Sequence, residues 1–386
     1  MMINFYSRYL GLISLLYLCT MCTNDSDREY LGAGACIIDT TSIIQVNSPA
    51  ITPVYGITQQ LKPNRFIAYT PIIHSIDWVD LSNSNSPLTK RLQLLHEGPK
   101  GIDNVKDIYF HNSDTIFVAC AYHLFFIDSE GTIIRKIPIN QSSSPLKGID
   151  FSSVTLYAHK KNGTGIHYYP KEKSLYIPCK ASRYDQFTIP DHYEVPILAK
   201  WDISNDSVTI LDLKYPDKFR QQSYGLLNRP NISYTADKIV YNFKVDSDIY
   251  VYDLKTQKVI THKCPSQLVD DAEPFLVRGT VSRDPEALMN HLRGNPDYGV
   301  VIFNPYRNEY YRSLLFPDDF SVGRKQLKKM SLMVLSPEFK VKKEIILPKG
   351  TVSFMTRVFT EQGVLLPVLS DDEDIKLYRH LKLTCA

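Results

Sequence analysis

One unit recurs along this chain and restricts its fold more than any other feature: a short β-type run ending on Asp or another turn-former, a polar turn, then a second β-type run. It appears at residues 75–80 with 89–94, 124–128 with 133–137, 198–202 with 207–211, 249–253 with 258–262 and 332–335 with 341–347. Val, Ile, Tyr and Phe fill the runs and suit a pleated, packed surface. Asp, Ser, Asn and Gly fill the turns and accept turn dihedrals. Each pair therefore reads as a hairpin. Two further strand-like runs precede most pairs, as 107–110 and 115–121 precede the second. Four antiparallel strands per unit, recurring about every 45 to 50 residues, is the pattern of β-propeller blades.

Five units have recognisable outer hairpins, and the runs 353–359, 364–369 and 375–381 make a sixth that lacks its fourth strand. A ring leaves no edge open, so a strand from residues 36–46 is expected to complete it. The expectation is an all-β domain, a propeller of six blades over residues 36–386; the length of the third unit leaves seven open. Two units carry extra sequence, at 140–164 and 265–295. The second insert contains Asp284 and Pro285 at one end and Gly294 at the other, which predicts a helix over 285–293 with an Asp cap, a Pro in its first turn and a Gly stop. Insertions on one face of a repeat scaffold often carry binding, so this helix is a candidate for the binding face.

The first residues read differently. Arg8 and the terminal amine precede an apolar run over 9–21, about 13 residues, which suits a signal-peptide core and falls short of a bilayer span. Cys19 and Cys22 close that run, and a cysteine there resembles the lipidated residue of bacterial lipoproteins. Cys22 is the expected anchor, since the polar, acidic stretch Thr23, Asn24, Asp25, Ser26 and Asp27 follows it; residues 23–35 then form a tether. The expected address is the cell envelope of a Gram-negative bacterium, at the outer membrane or cell surface, with the membrane reached through the lipid.

Lys and Arg exceed Asp and Glu by three, so no global field favours nucleic acid. The 25 tyrosines fit half-buried strands and wet pockets. Past Cys22 the cysteines are Cys36, Cys120, Cys179, Cys264 and Cys385, an odd number without a C-x-x-C pair, which argues against a disulfide framework or a structural zinc site. A monomer is expected.

Two segments carry a family resemblance. Residues 95–102 contain Gly98-Pro99-Lys100-Gly101, similar to a Gly-Pro-x-Gly segment of six-bladed propeller-like lipoproteins. Residues 301–312 end in Tyr310-Tyr311-Arg312, similar to their strand-turn-strand. With the lipoprotein-like start and the acidic late hairpin, the chain resembles the bacterial family known as domain of unknown function 4221 over nearly all of its mature part. The resemblance implies fold and compartment, not chemistry.

No nucleophile elbow, P-loop, dinucleotide fingerprint or H-E-x-x-H is present. The acidic groups Asp371, Asp372, Glu373 and Asp374, and Asp270, Asp271 and Glu273, lack the spacing of a calcium loop and read as solvated tips. Lys328, Lys329, Lys340, Lys342 and Lys343, with Arg324 and Lys325, read as a solvated outer hairpin diluted by Glu338 and Glu344. The candidate ligand-binding residues are Arg307, Tyr310 and Arg312. Strand alternation puts Tyr310 and Arg312 on one face, where, if it meets the axial channel, they offer a flat ring and a cationic fork to a carboxylate or sugar. The expected function is a non-enzymatic binding or scaffold module for a peptide, glycan or envelope protein, with no cofactor and no metal. The alternative is a hydrolase or lyase using a metal or a His/carboxylate site in the central channel.

Overall fold

A computed structural model describes residues 37–39, 42–47, 57–83, 85–160, 163–182, 193–277, 284–318, 328–348, 351, 354, 356–368 and 375–384. The Asp-terminated runs explain the local folding. Asp128 Oδ1 accepts from Glu130 N at 2.9 Å and Thr132 N at 2.8 Å. Asp202 accepts from Ser204 N, and Asp253 accepts from Lys255 N and Thr256 N. Asp80 accepts from Ser82 N, and Ser336 Oγ takes the same part in the fifth unit, toward Glu338 N and Lys340 N. Each side chain satisfies turn amides that no strand can reach, and so fixes where the outer hairpin reverses.

The hairpins assemble into six four-stranded antiparallel blades. Blade 1 is Ile57–Lys62, Arg65–Thr70, Ser75–Asp80 and Leu88–Gln93. Blade 2 is Val105–Asn112, Thr115–Cys120, His123–Ile127 and Ile133–Pro138. In blade 3 the first position is split: Val154–Leu156 and His167–Tyr169 both pair with Ser174–Ala181, followed by Leu198–Asp202 and Ser207–Ile210. Blade 4 is Pro230–Tyr234, Lys238–Phe243, Asp248–Asp253 and Val259–Lys263. Blade 5 is Asp297–Asn304, Glu309–Leu315, Met330–Leu335 and Val341–Ile346. The long stretch before His167 is thus spent on a divided inner strand, and the count is six.

Blade 6 is built from both ends of the domain. Val358–Thr360, Gly363–Val368 and Ile375–Thr384 supply three strands, and Ile37–Asp39 and Ile43–Asn47 pair along the last of them. The strand expected from residues 36–46 is therefore present, in two pieces.

The first strand of each blade lies nearest the axis, beside its counterparts in the neighbouring blades. Middle strands are buried throughout, as in Met330–Leu335, because both of their faces meet adjacent blades. Outer strands alternate, as in Leu88–Gln93, where Leu92 turns inward. The Gly-Pro-x-Gly segment forms a tight loop closed by Ile102 N to Leu95 O at 2.8 Å. A Cβ on Gly101 would meet Glu97 C and His96 O at 2.9 Å, so only glycine closes it.

Side chains tie the inner strands to one another. Gln59 donates to Phe110 O at 2.9 Å and accepts from Phe110 N at 2.7 Å, joining blades 1 and 2. Gln60 does the same with Phe359, at 2.6 and 2.7 Å, joining blades 1 and 6. Replacing Gln60 by Ala strips both bonds from the seam and leaves an amide and a carbonyl of Phe359 unpaired. The expected cost is about 2 kcal/mol, read as a lower denaturant midpoint at unchanged slope; a midpoint equal to the wild type would show that the seam is held by other means.

Candidate functional site

The inner strands enclose an axial cavity of about 730 Å³ at its mouth, continuing into a narrower inner part of about 300 Å³. Both lie within the size range of small-ligand sites or just at its lower edge. The mouth opens past the C-terminal ends of the inner strands, where Tyr169, Thr235, Pro305 and Tyr306 stand. All six blades contribute, from Gln60 in blade 1 to Phe359 in blade 6.

Aromatic rings form most of the wall, and each is fixed by its neighbours. His167 stacks on Tyr234 with centroids 4.7 Å apart, and Tyr109 and Tyr169 meet the same imidazole edge-on at 5.0 and 4.6 Å. The phenols donate to the backbone of adjacent blades: Tyr109 Oη to Tyr168 O, Tyr169 Oη to Thr235 O at 2.7 Å, and Tyr234 Oη to Gly165 O at 3.0 Å. Burial pushes Tyr109 up to about 12, and drives Tyr169 and Tyr234 upward as well, so these phenols keep their protons. Burial pushes His167 down to about 3, helped by Lys160, so its ring is neutral.

The inner part holds charge. Asp107 is fully buried and accepts from Ile108 N at 2.9 Å and from Ile166 N at 2.6 Å. Lys160 and Arg357 both line the cavity. A Cβ on Gly165 would sit 2.8 Å from Asp107 Oδ2 and 3.0 Å from Lys160 Nζ. The two charges are therefore within about 6 Å of each other, in surroundings that screen them poorly. Glycine at 165 lets them approach. Burial raises Asp107 to about 6 against the opposing pull of Lys160 and its two amide donors. Burial also lowers Lys160, and lowers Arg357 to about 9.

The sequence-predicted residues are elsewhere. Arg312 lies on the second strand of blade 5, fully buried, with its guanidinium 4.3 Å from the Tyr298 ring and donating to Ser247 O at 2.9 Å and Asp246 O at 2.6 Å. It bridges blades 4 and 5 and does not reach the axis. Removing it would orphan two buried carbonyls, so its loss would fall on stability. Tyr310 stacks on Phe339 at 4.4 Å between the same blades, and Arg307 donates to Glu309 at 3.0 Å. Neither side chain lines the cavity, although Tyr306, just before Arg307, does.

The capped helix forms as Pro285–Gly294, with Asp284 accepting from Glu286 N at 2.9 Å. It sits before the start of Asp297–Asn304, whereas the mouth residues Pro305 and Tyr306 follow the end of that strand. The strand spans about 26 Å, so helix and mouth belong to opposite faces. Of the charge clusters, Lys342 pairs with Glu309 at 2.9 Å, Lys328 donates to the last carbonyls of the helix, and Asp271 accepts from Ser247 N. Cys22, the tether, Arg324, Lys325 and residues 371–374 lie outside the described residues. Among the described residues no three of His, Cys, Asp and Glu gather as a metal cage would require.

This geometry defines a class: a six-bladed propeller closed by strands from both termini, with a rigid, aromatic, charged axial cavity. The family described as domain of unknown function (DUF4221) matches residues 38–346, and the chain belongs to it. The crystal structure of a member of that family from Bacteroides vulgatus is 16% identical, with a TM-score of 0.76, covering 92% of this chain and 100% of that one. A protein from Bacteroides fragilis thought to be exported is 10% identical at a TM-score of 0.54, covering 92% of this chain and 98% of that one. At such identities the likeness is one of fold. No curated protein matches the sequence.

Asp107 gives the site a pH signature. Its pKa is raised on folding, so it contributes stability that is present at low pH and lost as pH rises through about 6. His167 is depressed and runs the other way, losing its contribution as pH falls below the usual imidazole range. Subtracting the stability of Asp107→Asn from that of the wild type cancels the histidine. The difference is expected to move in favour of the wild type by about 1 kcal/mol between pH 7 and pH 5, measured by chemical unfolding. A flat difference would show that Asp107 stays ionised in the fold.

Proposed function

We propose that the protein is a non-enzymatic binding module of the bacterial cell envelope, exported and held by lipid at Cys22, with its ligand seated in the axial cavity. The observation that supports this reading most strongly is the fixed aromatic wall. Tyr109, Tyr169 and Tyr234 spend their hydroxyls on neighbouring blades, so the cavity is shaped before any ligand arrives. A site built this way loses little entropy on binding, which is what recognition asks of it. The neutral His167 presents a hydrogen-bonding edge, and the tyrosine rings a packing surface, to a peptide or glycan fragment. Among the described residues no helix is long and apolar enough to cross a membrane, in keeping with attachment through the N-terminus.

Tyr306 is the residue to change, because it stands half-buried at the mouth, its ring at the edge of the core between blades 5 and 6 and its hydroxyl on Gln60. A thermal-shift screen of mono- and disaccharides and short peptides should find compounds that raise the melting point of the wild type. Tyr306→Ala should weaken their binding about ten-fold while melting within a few degrees of wild type without ligand. Compounds that bind both proteins equally would place the site outside the cavity.

The anchor has its own check. Cys22→Ala should move the protein from the membrane fraction to the soluble one, and Cys19→Ala should not. Release by Cys19→Ala alone would shift the anchor three residues upstream, and release by neither would remove lipidation from the proposal.

A further inference from the structure

We propose that His167 is the polar contact of the axial cavity, exchanging hydrogen bonds with an uncharged amide or hydroxyl of a ligand whose aromatic ring fills the mouth; this rests on the cavity being the binding site, as argued above. His167 lines both the mouth and the inner part, so a group bonded to it stands where the two meet. Its place is set by its strand, where it pairs with Tyr176, and by three rings: Tyr234 stacked at 4.7 Å, and Tyr109 and Tyr169 edge-on. Neither ring nitrogen is bonded to any described residue. Packing alone would be served as well by phenylalanine, which has no polar atoms to desolvate. An imidazole with two unbonded nitrogens, bordering an open space of ligand size, is arranged for a partner that enters from outside. Burial keeps the ring neutral, so it offers one donor and one acceptor at once, which a hydroxyl or an amide can meet.

Other polar groups of the wall are already engaged. Tyr109, Tyr169 and Tyr234 donate to backbone oxygens, and the Tyr306 hydroxyl meets Gln60, which is itself bound to Phe359. In the inner part Gln59 is tied to Phe110, and Ser233 Oγ donates to Val301 O. Few groups are left to satisfy the many hydroxyls of a sugar, each of which would lose its water on entry. A ligand with one or two polar groups fits this wall.

The charged groups do not call for a charged ligand. Glu172 at the mouth is held by Lys200 at 2.6 Å and by the Tyr176 hydroxyl, and Lys171 beside it is exposed. Lys160 has the buried carboxylate of Asp107 close beside it, across Gly165. Arg357 is engaged within the fold, its guanidinium over the rings of Phe354 and Phe359 at 5.7 and 5.6 Å. What the mouth does offer is ring surface, where Tyr169, Phe303, Tyr306 and Phe359 suit an aromatic body. An aromatic residue inside a peptide, flanked by its backbone amides, has this chemistry, and so does a free aryl amide or alcohol.

Titration calorimetry on the purified protein tests the contact with probes that differ by one group: 3-phenylpropanamide and 3-phenylpropan-1-ol beside propylbenzene. The wild type is expected to bind the amide and the alcohol about ten-fold tighter than propylbenzene, the gain of one net hydrogen bond. His167→Phe keeps a ring against Tyr234 and should erase that preference, leaving propylbenzene itself little changed. A preference that survives in His167→Phe, or a loss shared equally by all three probes, overturns the contact. If His167→Phe fails to fold, the wild-type series still decides, because equal binding of the three probes overturns the contact as well. Tighter binding of 3-phenylpropanoate than of the amide overturns the uncharged group, and glucose binding as tightly as the alcohol overturns the aromatic body. Tighter binding of N-acetylphenylalaninamide than of 3-phenylpropanamide identifies a peptide as the source, and the reverse a free small molecule; both support the site. Absence of binding by every probe overturns this proposal, while the saccharide and peptide screen with Tyr306→Ala judges the cavity independently.

Discussion

Everything in this structure depends on how the inner edge of each blade is satisfied. A blade pairs its strands with one another, but its innermost strand has only one partner and leaves a row of amides and carbonyls toward the next blade. Neighbouring inner strands diverge around the axis and do not form a continuous ladder. The gap is bridged by side chains: the amides of Gln59 and Gln60, the carboxylate of Asp107, the phenols of Tyr109, Tyr169 and Tyr234, and the Asn231 amide donating to Tyr298 O. One parallel backbone contact, Ile232 N to Gly163 O at 2.7 Å, helps where the split strand of blade 3 meets blade 4. The ring is thus stitched by polar residues along a surface that would otherwise be hydrophobic.

That stitching has a consequence for the cavity. The groups that hold the ring together are the groups that line it, so the wall cannot relax without loosening the fold. The hydroxyls face outward to backbone oxygens and the rings face the cavity, giving a polar lattice with an aromatic lining. Lys160 and His167, which line the inner part, are not among the side chains that stitch the ring.

The architecture was largely legible in the sequence, and the reason is the turns. Asp80, Asp128, Asp202 and Asp253 each end a third strand and each caps a turn, so the same atoms that shape the hairpins mark them in the sequence. The missing fourth strand of the last unit pointed to the N-terminal strand, and the Asp-Pro start and Gly end of the helix were local signals. The site was not legible, because alternation tells which residues share a face and not what that face meets. In a propeller both faces of a second strand meet neighbouring blades, so Tyr310 and Arg312 had no route to the axis. Only the inner strand reaches it. Asp107, an acid inside a strand otherwise rich in Ile, Tyr and Phe, and the close-set His167 and Tyr169 were the available hints. Lys160 and Arg357 lie outside the strands, where no periodicity marks them.

The contrast between axis and periphery carries the functional argument one step further. Between the blades the cores are apolar, as where Phe117, Phe126, Leu175 and Trp201 meet from blades 2 and 3, and such layers account for the stability of the fold. A chain selected for stability alone would extend the same packing inward, since well-packed apolar groups commonly outperform buried charges of similar volume. This chain instead keeps Lys160 and Arg357 at the narrow end of an open space, with a glycine at 165 that lets the buried Asp107 approach Lys160. Their burial opposes folding, as the upward shift of Asp107 and the downward shift of Lys160 both register.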